Sequence, residues 1–300
     1  EAYWWWGFGP VCDSPGECTT TDTGQQLIGI DEGSGAAHVY RWLAYGLFRM
    51  NEVFGIQTPH SFVALWSPGQ EGGCGTCLLP PGYAPSVTYG EGPEDKDKYD
   101  AAVVLAGTSD TPTHWSVSII GHEYGHLVHH SYSEFPGEAG PQSVSSTSPP
   151  GMAFSEGFAT YLGQTNMSAS PSDNQPIYFA KQQGTNWWMD VGKAQYFSSD
   201  APAPNPQGPL DQDLSELVVA AMMWSLWASS NADAPQGLGD PTLEAMNSTR
   251  LTGGMNRGYS TIDFVDYLDA LKCDGVATSA QIDAVRDAFS FYYDHAQTCP

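Results

Sequence analysis

Residues 115–130 read Trp-Ser-Val-Ser-Ile-Ile-Gly-His-Glu-Tyr-Gly-His-Leu-Val-His-His. The spacing predicts a helix over this stretch. Trp115, Ile119, His122 and His126 fall on one side; Val117, Ile120, Leu127 and Val128 fill the other. A helix apolar nearly all round is a buried one, so the rest of the chain must fold around it. His122 and His126 stand four residues apart and share a face, one turn from each other. Two imidazoles so placed can grip one metal ion from the same side. Glu123 points into the adjoining sector, where a water on that ion would sit. His-Glu-x-x-His is the pattern of zinc hydrolases.

Two histidines do not complete such a site. A catalytic zinc keeps three protein ligands and one open position. One known arrangement places a glycine three residues, and a third histidine six residues, after the second histidine. His129 and Tyr132 occupy those positions, so that form fails. The other takes a glutamate from a later helix. Glu156 fits, in Phe-Ser-Glu-Gly-Phe-Ala-Thr-Tyr (154–161), 30 positions after His126. That is enough chain to reverse and begin a second helix. Gly157 and Ala159 leave room for close helix packing, and Phe154 and Phe158, one turn apart, can anchor it. Glu134 and Glu138, just after the first helix, are the competing ligands. His129 reads as a helix-end histidine interacting with the C-terminal dipole, with a further metal ligand as the alternative. His130 is similar, and His38, His60, His114 and His295 read as surface or core residues.

Charge narrows the partners. With only ten Lys plus Arg, the formal net charge is −24. Such a surface repels phosphate backbones, so nucleic acid is excluded as a partner. No run of 18 apolar residues offers a membrane span. Glu1–Trp6 lacks a basic stretch and reads as a processed N-terminus rather than an intact signal peptide. The simplest pairing of the six cysteines joins Cys12 to Cys18, Cys74 to Cys77 and Cys273 to Cys299, among fifteen possible connectivities. This favours an oxidising compartment, secreted or periplasmic. Cys74-Gly-Thr-Cys77 has no second C-x-x-C for a zinc ribbon and no βαβ setting for a redox pair, so it reads as a small structural disulfide. The acidic stretch 91–100 could bind structural Ca²⁺, though it lacks EF-hand spacing and a solvated loop is the simpler reading. Asn166 and Asn247 begin glycosylation sequons, relevant only on a eukaryotic secretory route. A monomer is assumed.

Along the chain, 35–54 carries a helical stripe, and 61–66 and 101–107 read as strands, the second well buried. A loop is expected from Ser67 to Asp100. A short helix is expected over 154–162, then a proline-rich mixed stretch over about 168–210. Helices follow over 213–229, 260–271 (opened by Ser260 and Asp263) and 280–295 (opened by Thr278 and Gln281). The expected class is α+β: an N-terminal mixed lobe, 1–140, carrying the His-Glu-x-x-His helix, and a mainly helical C-terminal lobe, 141–300, carrying the glutamate. One catalytic unit would result, with its cleft near 131–153.

Ser-Glu-Gly-Phe-Ala-Thr-Tyr (155–161) after His-Glu-Tyr-Gly-His (122–126) resembles the gluzincin metallopeptidases, which include thermolysin-like and fungalysin-like endopeptidases and zinc aminopeptidases. Residues 216–227 are similar to a helix that follows the metal site in fungalysin-like enzymes. The resemblance covers roughly residues 35–230. It implies a zincin-like fold and a secreted enzyme hydrolysing peptide bonds in a peptide or protein substrate. His122, His126 and Glu156 would hold Zn²⁺, and Glu123 would be the general base. The Gly-x-Met-Glu-Asn segment of aminopeptidases is missing, which favours an endopeptidase. Thr160 stands where thermolysin-like enzymes carry an aspartate, so another group is expected to orient the histidine. The late oxyanion-stabilising histidine of those enzymes has no counterpart. Gln212 lies nearest its position, and Tyr161, Tyr196, Tyr259 and Arg257 are unranked alternatives. Ala101–Gly107 is offered as the edge strand that pairs with substrate. The competing readings are a zincin-fold binding or structural protein with little turnover, and a lyase or esterase using the same metal.

Overall fold

The computed structural model describes residues 11–12, 18–19, 34–53, 62–71, 74–80, 101–133, 146–166, 177–196, 214–231, 243, 245–252 and 261–293. They mix helices with small sheets, as an α+β chain does. Strands β1 (Val11–Cys12) and β2 (Cys18–Thr19) pair antiparallel, with Cys12 opposite Cys18. Helix α1 (Ser34–Phe48) runs on into a π-type turn over Arg49–Val53. Its expected stripe is buried at Val39, Leu43 and Met50, whereas Leu47 is exposed.

A three-stranded sheet follows. Strand β3 (Phe62–Trp66) lies parallel to β5 (Ala101–Leu105), and β4 (Cys77–Leu79) lies antiparallel to β5 on its other side. The order β3-β5-β4 makes β5 the central strand. Its Ala-Ala-Val-Val-Leu run is apolar on both faces because both are covered; all five residues are buried. The expectation that Ala101–Gly107 forms the edge is therefore corrected: the edge next to the central helix is β4, inside the stretch read as loop. Three residues between glycines and prolines give too short a pattern to read as a strand.

Helix α2 (Val117–Tyr132) is the predicted buried helix. Ser116 caps it, its hydroxyl oxygen accepting from the Ile119 N–H. Helix α3 (Pro150–Asn166) is longer than the sequence suggested and buried along its whole length. Its proline stands at the first helical position, where no N–H is needed. It packs on α2 on one side and on α4 (Glu216–Asn231) on the other.

Glycines set that closeness. A β-carbon on Gly125 would lie 2.7 Å from the Ala159 Cα, and one on Gly163 would lie 2.8 Å from the His122 nitrogen. One on Gly157 would meet the Glu216 carbonyl oxygen at 2.8 Å. Aromatic rings then lock the layer: Phe154 and Phe158 are fully buried, their rings 6.4 Å apart.

The stretch 168–210 contains a second unpredicted sheet. Strands β6 (Ile177–Gln182) and β7 (Thr185–Asp190) form a hairpin whose turn residues, Gln183 and Gly184, both take positive φ, 50° and 76°. That is the two-residue turn whose twist suits a hairpin. Strand β8 (Gln195–Tyr196) adds to β7. The hairpin is tied to the start of α2: the Ser116 hydroxyl donates to the Phe179 carbonyl, and the Phe179 N–H donates to the Ser118 hydroxyl.

Two C-terminal helices close the described core. Helix α5 (Phe264–Cys273) starts later than expected, because Asp263 and Asp266, not Ser260 and Asp263, form its capping box. Helix α6 (Ser279–Ala288) has the predicted Thr278–Gln281 box. It ends well before His295. Ser290 turns left-handed (φ 52°), and the Phe291 N–H reaches back to the Arg286 carbonyl, satisfying the helix end. Among the described residues no helix is long and apolar enough to cross a membrane.

Candidate metal centre

Helices α2 and α3 bring three donors to one point. His122 Nε2 lies 3.1 Å from His126 Nε2 and 3.1 Å from Glu156 Oε2; His126 Nε2 lies 3.4 Å from the same oxygen. The rings of the two histidines stand edge to face, 4.7 Å between centroids. His126 and Glu156 are buried and His122 nearly so, and the three could hold a metal ion. The other ring nitrogens face outward. His122 Nδ1 is 3.0 Å from the Thr160 hydroxyl, and His126 Nδ1 is 3.4 Å from the Ser155 hydroxyl. An imidazole whose Nδ1–H donates outward turns its Nε2 lone pair inward, as ligation requires. Thr160, four residues after Glu156, therefore does the orienting itself. The expectation that another group must do so is corrected: a hydroxyl oxygen accepts that proton as a carboxylate would.

The electrostatics follow from burial and from shared charge. Burial opposes ionisation of Glu156, but His126 and His122 beside it hold its carboxyl below the usual range. Burial likewise opposes a charge on His126, and the Glu156 carboxylate outweighs it, holding His126 up at about 9. Glu123 is buried and pushed up by that burial, offset in part by His122, His126 and a hydrogen bond from the Leu78 N–H. The strand β4 thus sits directly against Glu123.

Two further groups belong to this neighbourhood. Glu216, at the first turn of α4, is raised to about 8 by burial and by Glu156. Its Oε2 is buried without a hydrogen-bond partner. Tyr178, on the inner face of β6, is buried; its ring lies 6.1 Å edge-on from His122 and stacks 5.4 Å from Trp187. Burial, then Glu123, Glu156 and Glu216, push its hydroxyl well above the ordinary phenol range. A phenol so held keeps its proton and remains a donor.

His129 does lie in the last turn of α2, as expected, but its side chain points into the core. It is wholly buried between Phe154 and Phe158, with centroids 5.1 and 5.2 Å away, and burial drives it down to about 3. It is outside the metal cluster. His114 is likewise a core residue, its Nδ1 3.0 Å from the Ala106 carbonyl. Among the oxyanion candidates, Tyr161 is buried in the core beside Phe158. Gln212, Arg257, Tyr259 and the Tyr196 side chain lie outside the described residues, as do Glu134, Glu138, His60, His295 and the stretch 91–100. A disulfide joins Cys74 to Cys77, and Cys273 is also disulfide-bonded.

Sequence reasoning missed Tyr178, Leu78 and Glu216 as neighbours of the site. The first two lie on the unpredicted strands, where local pattern carries no address. Glu216 opened a helix already picked out, but nothing in its spacing points at Glu156. No protein-family model matches this chain, and no curated protein is similar to it. What the chain does has to be read from the site itself.

Proposed function

We propose that this chain is a zinc-dependent metallopeptidase of the gluzincin type, with a zincin-like fold, acting as an endopeptidase in an oxidising, extracellular compartment. The observation that carries the reading is the donor triangle. Tetrahedral ligation at roughly 2.0–2.1 Å places neighbouring donors about 3.3–3.4 Å apart. The edges here are 3.1, 3.1 and 3.4 Å. Two nitrogens and one carboxylate oxygen suit zinc, whereas Ca²⁺ takes an all-oxygen shell.

His122, His126 and Glu156 would hold the ion. Bound there, zinc supplies a Lewis acid and lowers the pKa of a water towards ~7. Glu123 would accept a proton from the attacking water and return it to the leaving amine. Its burial and raised affinity for a proton suit a base that must also act as an acid. Tyr178 donates to the carbonyl oxygen as negative charge gathers there. On the edge of strand β4 away from β5, the Leu78 carbonyl would serve as an acceptor for an extended peptide, since its N–H is taken by Glu123.

Kinetics on four samples test this. Wild type should cleave an unstructured protein such as casein, and a chelator should stop it. Glu123→Gln should keep zinc and lose about 10²–10⁴-fold in kcat. Tyr178→Phe should keep zinc and lose about 10²–10³-fold. Near-wild-type cleavage by Glu123→Gln would overturn the base. Zinc bound in wild type without any cleavage would favour the alternative, a binding protein on the same scaffold.

A further inference from the structure

Among the described residues strand β4 is a three-residue edge strand, with Glu123 on the side away from β5. Its ladder to β5 spans three pairs, Cys77–Val104 to Leu79–Ala102. In an antiparallel pair, successive residues turn their N–H groups to opposite edges. The Leu78 N–H is turned off the sheet and donates to the Glu123 carboxylate. A slip of one residue would turn that N–H away and present a neighbour's side chain instead. Three residues with one partner strand resist such a slip poorly.

What precedes β4 supplies the missing restraint. Cys74 and Cys77 close a four-residue turn through their disulfide, and Gly75 within it takes φ 77°, a conformation suited to glycine. Thr76 is fixed from the side: its hydroxyl lies 2.7 Å from that of Thr113 and accepts the Ala106 N–H at 3.2 Å. The bridged Cys77 is the first residue of β4 and immediately precedes Leu78. The covalent bond therefore lies one residue from the donor that orients the proposed base.

We propose that the Cys74–Cys77 disulfide is a positioning bond for peptide hydrolysis, holding β4 in the register that keeps the Leu78 N–H on Glu123. Cys74, Cys77 and Leu78 are positioning residues in this scheme; the reacting group is Glu123. The kinetic part rests on the metallopeptidase reading, while the structural part does not. Cys74 is exposed, so a small dithiol can reach the bridge. One thiolate of the reagent attacks a cysteine sulfur, and the other cysteine leaves as thiolate. The reagent's second thiol then releases the mixed disulfide, ending as a cyclic disulfide with two electrons given to the protein.

The experiment compares wild type, the Cys74→Ser/Cys77→Ser double variant and Leu78→Pro, each loaded with zinc. Amide exchange by NMR and steady-state kinetics are read on each. In the double variant the Leu78 amide should exchange at least about tenfold faster, as one hydrogen bond to a charged acceptor is lost. The Val103 and Val104 amides of the central strand should stay protected, which separates a local slip from unfolding. Zinc content should not change, and kcat should fall about tenfold or more with KM moving less. Leu78→Pro, lacking the N–H with the bridge intact, should show the same kcat loss. Undiminished protection of Leu78 in the double variant overturns the proposal whether or not the protein is a peptidase. Undiminished kcat in the double variant, with wild type active and Glu123→Gln inactive, overturns it while leaving the metallopeptidase reading standing.

Discussion

Three histidines of one helix show how little residue type decides by itself. His122 and His126 face carboxylate and hydroxyl groups, whereas His129, one turn on, faces two phenylalanine rings. Thr160→Val removes the acceptor of the His122 Nδ1 proton while keeping the side chain's shape. Zinc affinity, measured by competition with a chromophoric chelator, should fall about 10–100-fold. His129 makes a pH prediction. Its folded pKa of about 3 lies below the ordinary value of 6.5. The unfolded chain therefore takes up a proton, as pH drops below 6.5, that the native state refuses. The full stability contribution is present above 6.5 and is lost progressively towards 3, at roughly 1.4 kcal/mol per pH unit from this residue. Urea titrations between pH 7 and 4 should show that slope, and His129→Phe should flatten it.

At the scale of elements, the α2–α3 pair was largely legible and its surroundings were not. The helical period from Trp115, the i, i+4 histidines and the small residues around Glu156 are local signals, and the structure brings His122, His126 and Glu156 together. Strand β4 and the β6–β7 hairpin depend on partners far along the chain, so three- and six-residue runs carried too little pattern. The early end of α6 was hidden for another reason: Ser290 takes the left-handed position that glycine usually marks. Thr160 was misjudged because a familiar carboxylate was sought where a hydroxyl serves. The close approach of α2 to α3 gives the prediction at this scale. In Gly125→Ala the new β-carbon would meet Ala159 backbone at 2.7 Å, so one helix must shift. Denaturant unfolding should report a loss of about 1–3 kcal/mol, with weakened zinc binding beside it.

For the whole molecule, the metal's effect on stability follows from where its donors lie. His122 and His126 come from one helix and Glu156 from the next, so an ion bound by all three clamps α2 to α3. A ligand bound to the native state alone adds RT ln(1 + [L]/Kd), about 2.7 kcal/mol at a hundredfold excess over Kd. Calorimetry with and without chelator should therefore show a Tm lowered by several degrees on chelation, restored by added zinc. Unchanged melting would mean that no ion bridges the pair.

The glycine contacts also set which parts of this sequence can drift over evolutionary time. Positions 125, 157 and 163 admit no larger side chain without moving backbone, so substitution there must be matched by compensation on the facing helix. Remote kin of this chain should be recognisable by their spacing of hydrogen-only side chains around the ligands sooner than by overall identity.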